Sequence, residues 1–335
     1  MFLDIDDFIV HPNKYIKSKG SMQQYPPGTQ DNSFHFSSII PVTQNNKNLE
    51  VPKGGRGPKG LESSEAGFGR PGVPPSSMRP KHFIFDLDET LGDFADLHAL
   101  WSSINEIVPS TQPDFNKILD LFPEFLRYGI ITILEFLHHK KKEGKCGKIY
   151  IYTNNQCPPP WVEYIANYIE SKKNMTGLFE RPICAFKIKN SVLEKDRTTH
   201  DKTLRDFIKC SRLPRSAELC FIDNAYHHKM VGGSIFYIQP RSYYHSLSVQ
   251  EIIDRFLRSG IVMLKSVDWR LHLQNYFAMN YGDAEIKTRE DEDIDIAVSR
   301  KLMYTIKEFF YLALKKEKTK RRSMSPPNKT HKRKY

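Results

Sequence analysis

The sequence predicts an α/β fold with a Rossmann-like core, in which a mainly parallel sheet is flanked by helices. Three observations predict it. Short aromatic and β-branched runs recur along the middle of the chain, segments of helical periodicity separate them, and acidic or hydroxyl side chains follow several of the runs directly. Strands alternating with helices are the pattern of βαβ units, whose crossovers return the chain to a parallel sheet.

The strand runs are HFIFD (82–86), KIYIYT (148–153), PICAF (182–186), ELCFID (218–223) and SIFYIQ (234–239). They are apolar on both faces, as a parallel sheet covered on both sides requires. Between and after them lie predicted helices at 115–122, 130–142, 161–172, 201–210 and 248–258. In the second of these Ile130, Ile133, Leu134 and Leu137 share one face. The segment LGDFADLHALWSSINEIVPSTQPDF, which follows the first strand, also reads as helical and forms a small insertion. Residues 260–281 hold Trp269 and other aromatics without a clear period. After the acidic run GDAEIKTREDEDID, Ile294, Val298, Leu302, Ile306, Phe310 and Leu314 recur every fourth residue. That helix begins among acids and ends in lysines, as the helix dipole favours, and is expected to dock on the core.

Before the first strand, residues 23–81 are rich in Pro, Gly, Ser and Asn, with PPGTQ, VPKGGRGPKG and GRPGVPPSSMRP in succession. So few apolar side chains cannot offset the entropy of ordering the backbone. The first sixteen residues, with Phe2, Ile5, Phe8, Ile9 and Tyr15, would suit a docking peptide, but a frayed terminus is the favoured expectation. The predicted division is a largely disordered arm (1–80), an α/β domain (81–259), a helical extension (260–314) and a basic disordered tail (315–335).

The 335-residue chain carries 50 Lys and Arg against 39 Asp and Glu, a formal net charge of +11. Residues 1–80 hold 9 basic and 7 acidic side chains and residues 315–335 hold 10 and one, so that 81–314 balances at 31 of each. The neutral middle excludes a basic nucleic-acid-binding body. The tail KKEKTKRRSMSPPNKTHKRKY is left as the place where an import receptor or a nucleic acid would be attracted. Cys146, Cys157, Cys184, Cys210 and Cys220 are scattered, odd in number and never C-x-x-C, which argues against a disulfide framework or a cysteine zinc site. No apolar run approaches the roughly 18 residues of a membrane span, and MFLDIDDFIV has acids where a secretory leader is basic. The expected setting is intracellular, nuclear or cytoplasmic, in a eukaryote or a large DNA virus within its host cell.

The chemistry is concentrated in Asp86-Leu87-Asp88-Glu89-Thr90, directly after the first strand. In a parallel α/β sheet the ligand crevice lies beyond the carboxyl ends of the strands, so both carboxylates fall where a site is expected. One carboxylate there can attack phosphorus, while the other protonates the leaving oxygen and later deprotonates water. The alternative is an acidic turn that caps a helix. Two like charges beside a phosphate need a cation between them, and oxygen ligands suit Mg²⁺. Asp223 and Asn224 after ELCFI supply further oxygens, although Asp-Asn alone reads as a turn. Thr153 and Asn154 after KIYIY could hold phosphoryl oxygens, or merely cap the next helix. Lys202, with Lys209 as its alternative, is the candidate cation for the phosphoryl charge.

In this order DLDET, Thr153, Lys202 and Asp223-Asn224 resemble the four motifs of the haloacid dehalogenase superfamily, with the D-x-D-x-T form of its phosphatases. FDLDETL, LRYGIITILEFL and the Asp-Asn pair look most like the NLI-interacting-factor-like group, which includes the small phosphatases of the RNA polymerase II C-terminal domain. The resemblance covers residues 82–258. It implies that Asp86 is nucleophile and Mg²⁺ ligand, that Asp88 is general acid/base and binds the metal through its carbonyl, and that Thr90 braces the motif. It further implies that Thr153 binds phosphate, Lys202 neutralises charge, and Asp223 with Asn224 completes the metal site. Tyr128 stands where the family usually has Pro, the interval 153–202 is long, and the insertion is helical where a strand-rich one is usual. The expected substrate is a phosphoserine or phosphothreonine protein. A non-catalytic module that binds a phosphorylated partner, and a nucleic-acid-end phosphatase, are the alternatives.

Overall fold

The computed structural model describes residues 8–11, 80–108, 113–232, 235–261, 267–280 and 287–312. The central sheet contains β1 (Phe8–His11), β2 (Lys81–Phe85), β3 (Cys146–Ile151), β6 (Glu218–Ile222) and β7 (Ile235–Pro240), in the order β1-β7-β6-β2-β3. β2 pairs in parallel with both β3 and β6, and β6 pairs in parallel with β7. A two-residue pair, β4 (Lys187–Ile188) and β5 (Ser191–Val192), lies apart from this sheet. From β2 the chain passes to β3 on one side and then returns to β6 on the other. β2 is therefore the switch point of the sheet, where such folds open a crevice at the carboxyl ends.

Alternation along the strands sorts the core into two layers. Phe83, Phe85, Ile149, Ile151, Cys220, Ile222, Phe236 and Ile238 face one way, and Ile84, Tyr150, Tyr152, Leu219, Phe221, Ile235 and Tyr237 face the other. The first layer is covered by α1 (Ala95–Ile107), α3 (Ile130–Lys142), α6 (Val249–Ser259), α7 (Trp269–Asn280) and α8 (Arg289–Tyr311), together with α2 (Phe115–Asp120) and α4 (Pro159–Ser171). The second rests on Phe207 of α5 (Leu204–Ser211) and on Leu213 just beyond that helix. α1 thus lies in the segment expected to be a helical insertion, and α2 in the helix expected at 115–122.

Three expectations change. PICAF is not a strand. Ile183 donates its N–H to Ile151 O and accepts from Thr153, but Ile149 O takes its hydrogen from Glu180 and Thr153 O from the Arg197 side chain, so the pairing stops at single bridges. Phe8–His11 is not a frayed end. It lies antiparallel along β7, from Phe8 opposite Pro240 to His11 opposite Tyr237, and so satisfies an edge that would otherwise present unpaired backbone groups. The rest of the arm and the basic tail fall outside the described residues.

The third change is one of phase. The buried stripe of α8 runs Asp295, Val298, Leu302, Ile306 and Phe309, with Ile294 and Phe310 of the expected stripe only partly buried against the same core, because a four-residue spacing drifts against a 3.6-residue turn. Phe309 packs between Phe83, at 5.4 Å, and Phe236, at 5.3 Å, so α8 seals the sheet that carries the site. Leu314 lies outside the described residues. A Thr288–Asp291 capping box starts this helix.

Candidate active site

The carboxyl ends of β2, β3 and β6 bring the sequence-predicted residues together. Asp86 follows β2, Asp223 follows β6, and Lys202 reaches both from the turn before α5. Its Nζ lies 2.5 Å from Asp86 Oδ1 and 2.7 Å from Asp223 Oδ2, with the lysine 2 % exposed. Thr203 caps α5 by accepting from Asp206 N, which fixes where Lys202 leaves the helix. Lys209 lies exposed on α5, so Lys202 is the lysine brought to the carboxylates.

Burial pushes the Asp86 carboxyl up to about 6, with Asp223 and Asp88 adding to the effect and Lys202 opposing it. Asp223 is buried too, but Lys202 and His227 outweigh that burial and hold it below the usual carboxylate range. Burial pulls Lys202 down, yet its two partners outweigh this and hold it above its ordinary value. The two acids thus have unlike environments, as a nucleophile and an ion-pair partner need.

Asp88, two residues on, is partly buried and accepts from Asn155 Nδ2 at 2.9 Å. Burial raises its pKa, Asn155 and Lys202 work against this, and Asp93 and Glu89 add to it. A carboxyl that keeps its proton more readily than usual suits general acid work.

The remaining predicted residues support rather than line the centre. Thr90 Oγ1 donates to Asn224 Oδ1 at 3.0 Å and accepts from Asn224 N at 3.0 Å, while Asn224 Nδ2 donates to Glu89 Oε2 and Ser242 Oγ. Both Thr90 and Asn224 are therefore engaged in bracing the first loop, and the Asn224 carboxamide oxygen is occupied by Thr90. Thr153 Oγ1 accepts from Asn155 N and keeps its own hydrogen to give. Asn154 Oδ1 accepts from Arg197 Nη2 at 2.7 Å.

Sequence reasoning gave no role in the site to Asn155, Arg197, Ser242 or Tyr243. Asn155 gave no signal beyond its neighbour Asn154. Arg197, 2 % exposed, lies in a polar run yet donates to Thr153 O, Cys184 O and Asn154. Ser242 and Tyr243 belong to the loop after β7. Tyr243 is buried, and its N–H donates to Glu89 O beneath the first loop. His227 Nε2 stands 3.2 Å from Asp223 Oδ2, and His228 is exposed.

Arg127 fixes the first loop from below. Its Nε donates to Thr90 O at 2.6 Å and its Nη2 to Glu89 O and Arg241 O, and burial brings its pKa down to about 10, still a cation at neutral pH. Glu89 needs this support because its backbone is left-handed, with φ of 58°. The Tyr243 ring lies between Arg127, at 5.4 Å, and Lys287, at 4.1 Å, and Lys287 pairs with Asp295 of α8. The ammonium of Arg127→Lys cannot span three carbonyls. Two orphaned acceptors at about 1–3 kcal/mol each give an expected loss of about 2–6 kcal/mol, read by chemical denaturation. A loss within error of zero would show that the carbonyls find other donors.

Among the described residues no group of three or more His, Cys, Asp or Glu side chains is placed to hold a metal ion. The donors that do converge, Asp86 and Asp223, are hard oxygens, and Mg²⁺ is commonly held by one or two carboxylates with water and substrate phosphate completing its shell. The residues present fit such an ion.

The chain thus has a parallel α/β sheet with a buried carboxylate–lysine–carboxylate cluster at its switch point, where such folds bind their ligands. No protein-family model, curated protein or solved structure matches the chain. No helix among the described residues is long and apolar enough to cross a membrane.

Proposed function

We propose that the protein is a Mg²⁺-dependent phosphatase of the haloacid dehalogenase type, similar to the NLI-interacting-factor-like group, acting through an aspartyl-phosphate on Asp86. The observation that carries this reading is Lys202 Nζ held between Asp86 Oδ1 and Asp223 Oδ2 at the end of the switch-point strand, with Asp88 two residues away. A binding module has no need of paired acids facing a phosphate. A hydrolase needs both.

In the first step an oxygen of Asp86 bonds to phosphorus as the ester P–O bond breaks, and Asp88 gives its proton to the leaving oxygen. In the second, Asp88 takes a proton from water as the water oxygen bonds to phosphorus and the Asp86–phosphate bond breaks. Lys202 holds Asp86 and offsets the charge gathered there. Asp86, Asp223 and the carbonyl of Asp88 would hold the divalent cation, whose chemistry when bound is to neutralise phosphoryl oxygens. Thr153 has a hydroxyl hydrogen to offer the same oxygens.

The preferred substrate is a phosphoserine or phosphothreonine protein. A cleft of about 420 Å³ between α1 and α4 is lined by Trp101, Trp161, Tyr164 and Pro158, and its lining holds Glu106 but no lysine or arginine. Pro158 of that lining is three residues beyond Asn155 in the chain. Such a wall suits apolar peptide side chains, whereas a polynucleotide backbone needs cations. Any nucleic acid or import receptor would be met by the basic tail.

Purified protein is expected to release phosphate from an aryl phosphate and from phosphopeptides with Mg²⁺, to stop when the metal is chelated, and to favour phosphopeptides over DNA or RNA ends. Metal-independent turnover, or none at all, would sink the reading. Faster release from nucleic-acid ends would move the substrate to the alternative class.

A further inference from the structure

We propose that Asn155 is the positioning residue of the acid–base step: it holds Asp88 by Oδ2 and leaves Oδ1 as the oxygen that exchanges a proton with the leaving group. The inference rests on the phosphatase reading and adds to it a residue that no motif marks.

The orientation of the Asn155 carboxamide is fixed by its neighbours. Its Oδ1 lies 2.7 Å from the backbone N of Cys157, a group that can only donate. The carboxamide oxygen must therefore face Cys157, and the end that lies 2.9 Å from Asp88 Oδ2 is the NH₂. An NH₂ has hydrogens to give and no lone pair to offer, so Asp88 Oδ2 is an acceptor whether Asp88 is neutral or ionised. The acid proton of neutral Asp88 consequently sits on Oδ1. Asn155 is itself tied to the end of β3, because its N–H donates to Thr153 Oγ1 at 2.9 Å. The path from Cys157 N–H through Asn155 to Asp88 runs in one sense and fixes the acid relative to Asp86.

The proton inventory follows. In the first step the Asp88 Oδ1–H bond breaks, the proton goes to the ester oxygen as it leaves phosphorus, and the electron pair stays on Asp88. In the second step the same oxygen takes a proton from the attacking water, as phosphorus is released from Asp86. Without Asn155 the carboxyl is free to turn and presents the wrong oxygen part of the time. That harms the step in which a poor leaving group needs its proton, and harms little a leaving group stable as an anion.

Asn155→Ser and Asn155→Asp both keep an oxygen for the Cys157 N–H and lose the NH₂. Turnover of each is measured across phosphate monoesters from nitrophenyl to simple alkyl phosphates, beside Asp88→Asn and Asp86→Asn. Both variants are expected to lose several-fold on nitrophenyl phosphate but about 100-fold on alkyl phosphates. In the Asp88→Asn background Asn155→Ser adds no further loss, since it acts through Asp88. If the serine variant fails to fold, Asn155→Asp, which keeps the shape, carries the same comparison. A loss equal across the series, or one that adds fully to that of Asp88→Asn, overturns the inference while leaving the phosphatase reading in place. No turnover by the wild type, or turnover undiminished in Asp86→Asn, overturns the phosphatase reading and this inference with it.

Discussion

Asp86→Asn is expected to give a protein that is inactive and, without divalent metal, more stable than the wild type. The activity loss follows from the nucleophile: a carboxamide does not displace an alkoxide from phosphorus, and a loss of about 10⁴-fold or more is expected. The stability gain follows from burial. Asp86 titrates at 3.8 in an unfolded chain and at about 6 in the fold, chiefly because burial penalises its charge and Asp223 stands across Lys202. The folded protein therefore holds this proton more tightly than the unfolded chain. The contribution of Asp86 to stability is greatest below about pH 4 and is lost as pH rises through about 6, by about 3 kcal/mol when the group is fully ionised. Asparagine imitates the neutral acid, so the two proteins should melt together near pH 4 and separate by neutrality. Added Mg²⁺ should stabilise the wild type and leave the variant largely unmoved. Thermal melting in chelator across this range decides the matter. An Asn variant that melts below the wild type at neutral pH would show that the Lys202 pair outweighs the burial of Asp86.

The parts of this molecule that were legible in the sequence are those governed by local patterns. The five-residue runs around Phe85 and Phe221 alternate between two core layers and needed no tertiary information, and the acids that follow them are placed by the ends of those strands. PICAF was misread because its composition suits a strand, while the next acceptor of its ladder, Thr153 O, is taken by the side chain of Arg197, a contact from elsewhere in the chain that no local pattern shows. β1 was missed for the opposite reason. Four residues cannot form a strand alone, and their partner is β7, more than two hundred residues away. The site divides in the same way. Asp86, Asp88 and Asp223 stand out because carboxylates after strands are conspicuous, whereas Asn155, Arg127 and Arg197 act through side-chain hydrogen bonds to distant backbone or carboxyl groups, which leave no periodic trace. Lys202 and Lys209 were indistinguishable by spacing. Their separation into one buried and one exposed lysine is decided by where α5 begins.

Lys202→Met is expected to cost both activity and stability, the reverse of Asp86→Asn on the second count. Methionine matches the lysine stem in volume, so packing around Tyr152 is preserved and the change is close to a pure removal of charge. What remains is Asp86 and Asp223 facing one another, the latter fully buried, with no cation between them. Leaving a buried ion-pair member without its partner costs about 3–5 kcal/mol. Keeping a proton on Asp86, the carboxyl that burial already pushes up, reduces that cost, and a protonated Asp86 is not a nucleophile. Activity near neutrality should therefore fall by about 10²–10³-fold, comparable to the removal of one preorganised charge from an active site, and should recover in part at higher pH where Asp86 ionises. A double-mutant cycle separates the two effects. In the Asp86→Asn background Lys202→Met strands only Asp223, which still has His227 at 3.2 Å, so its destabilisation should shrink by more than 1 kcal/mol or so. If the two changes instead add independently in denaturant unfolding, Lys202 is not balancing Asp86, and the charge-sharing cluster on which the phosphatase reading rests does not operate.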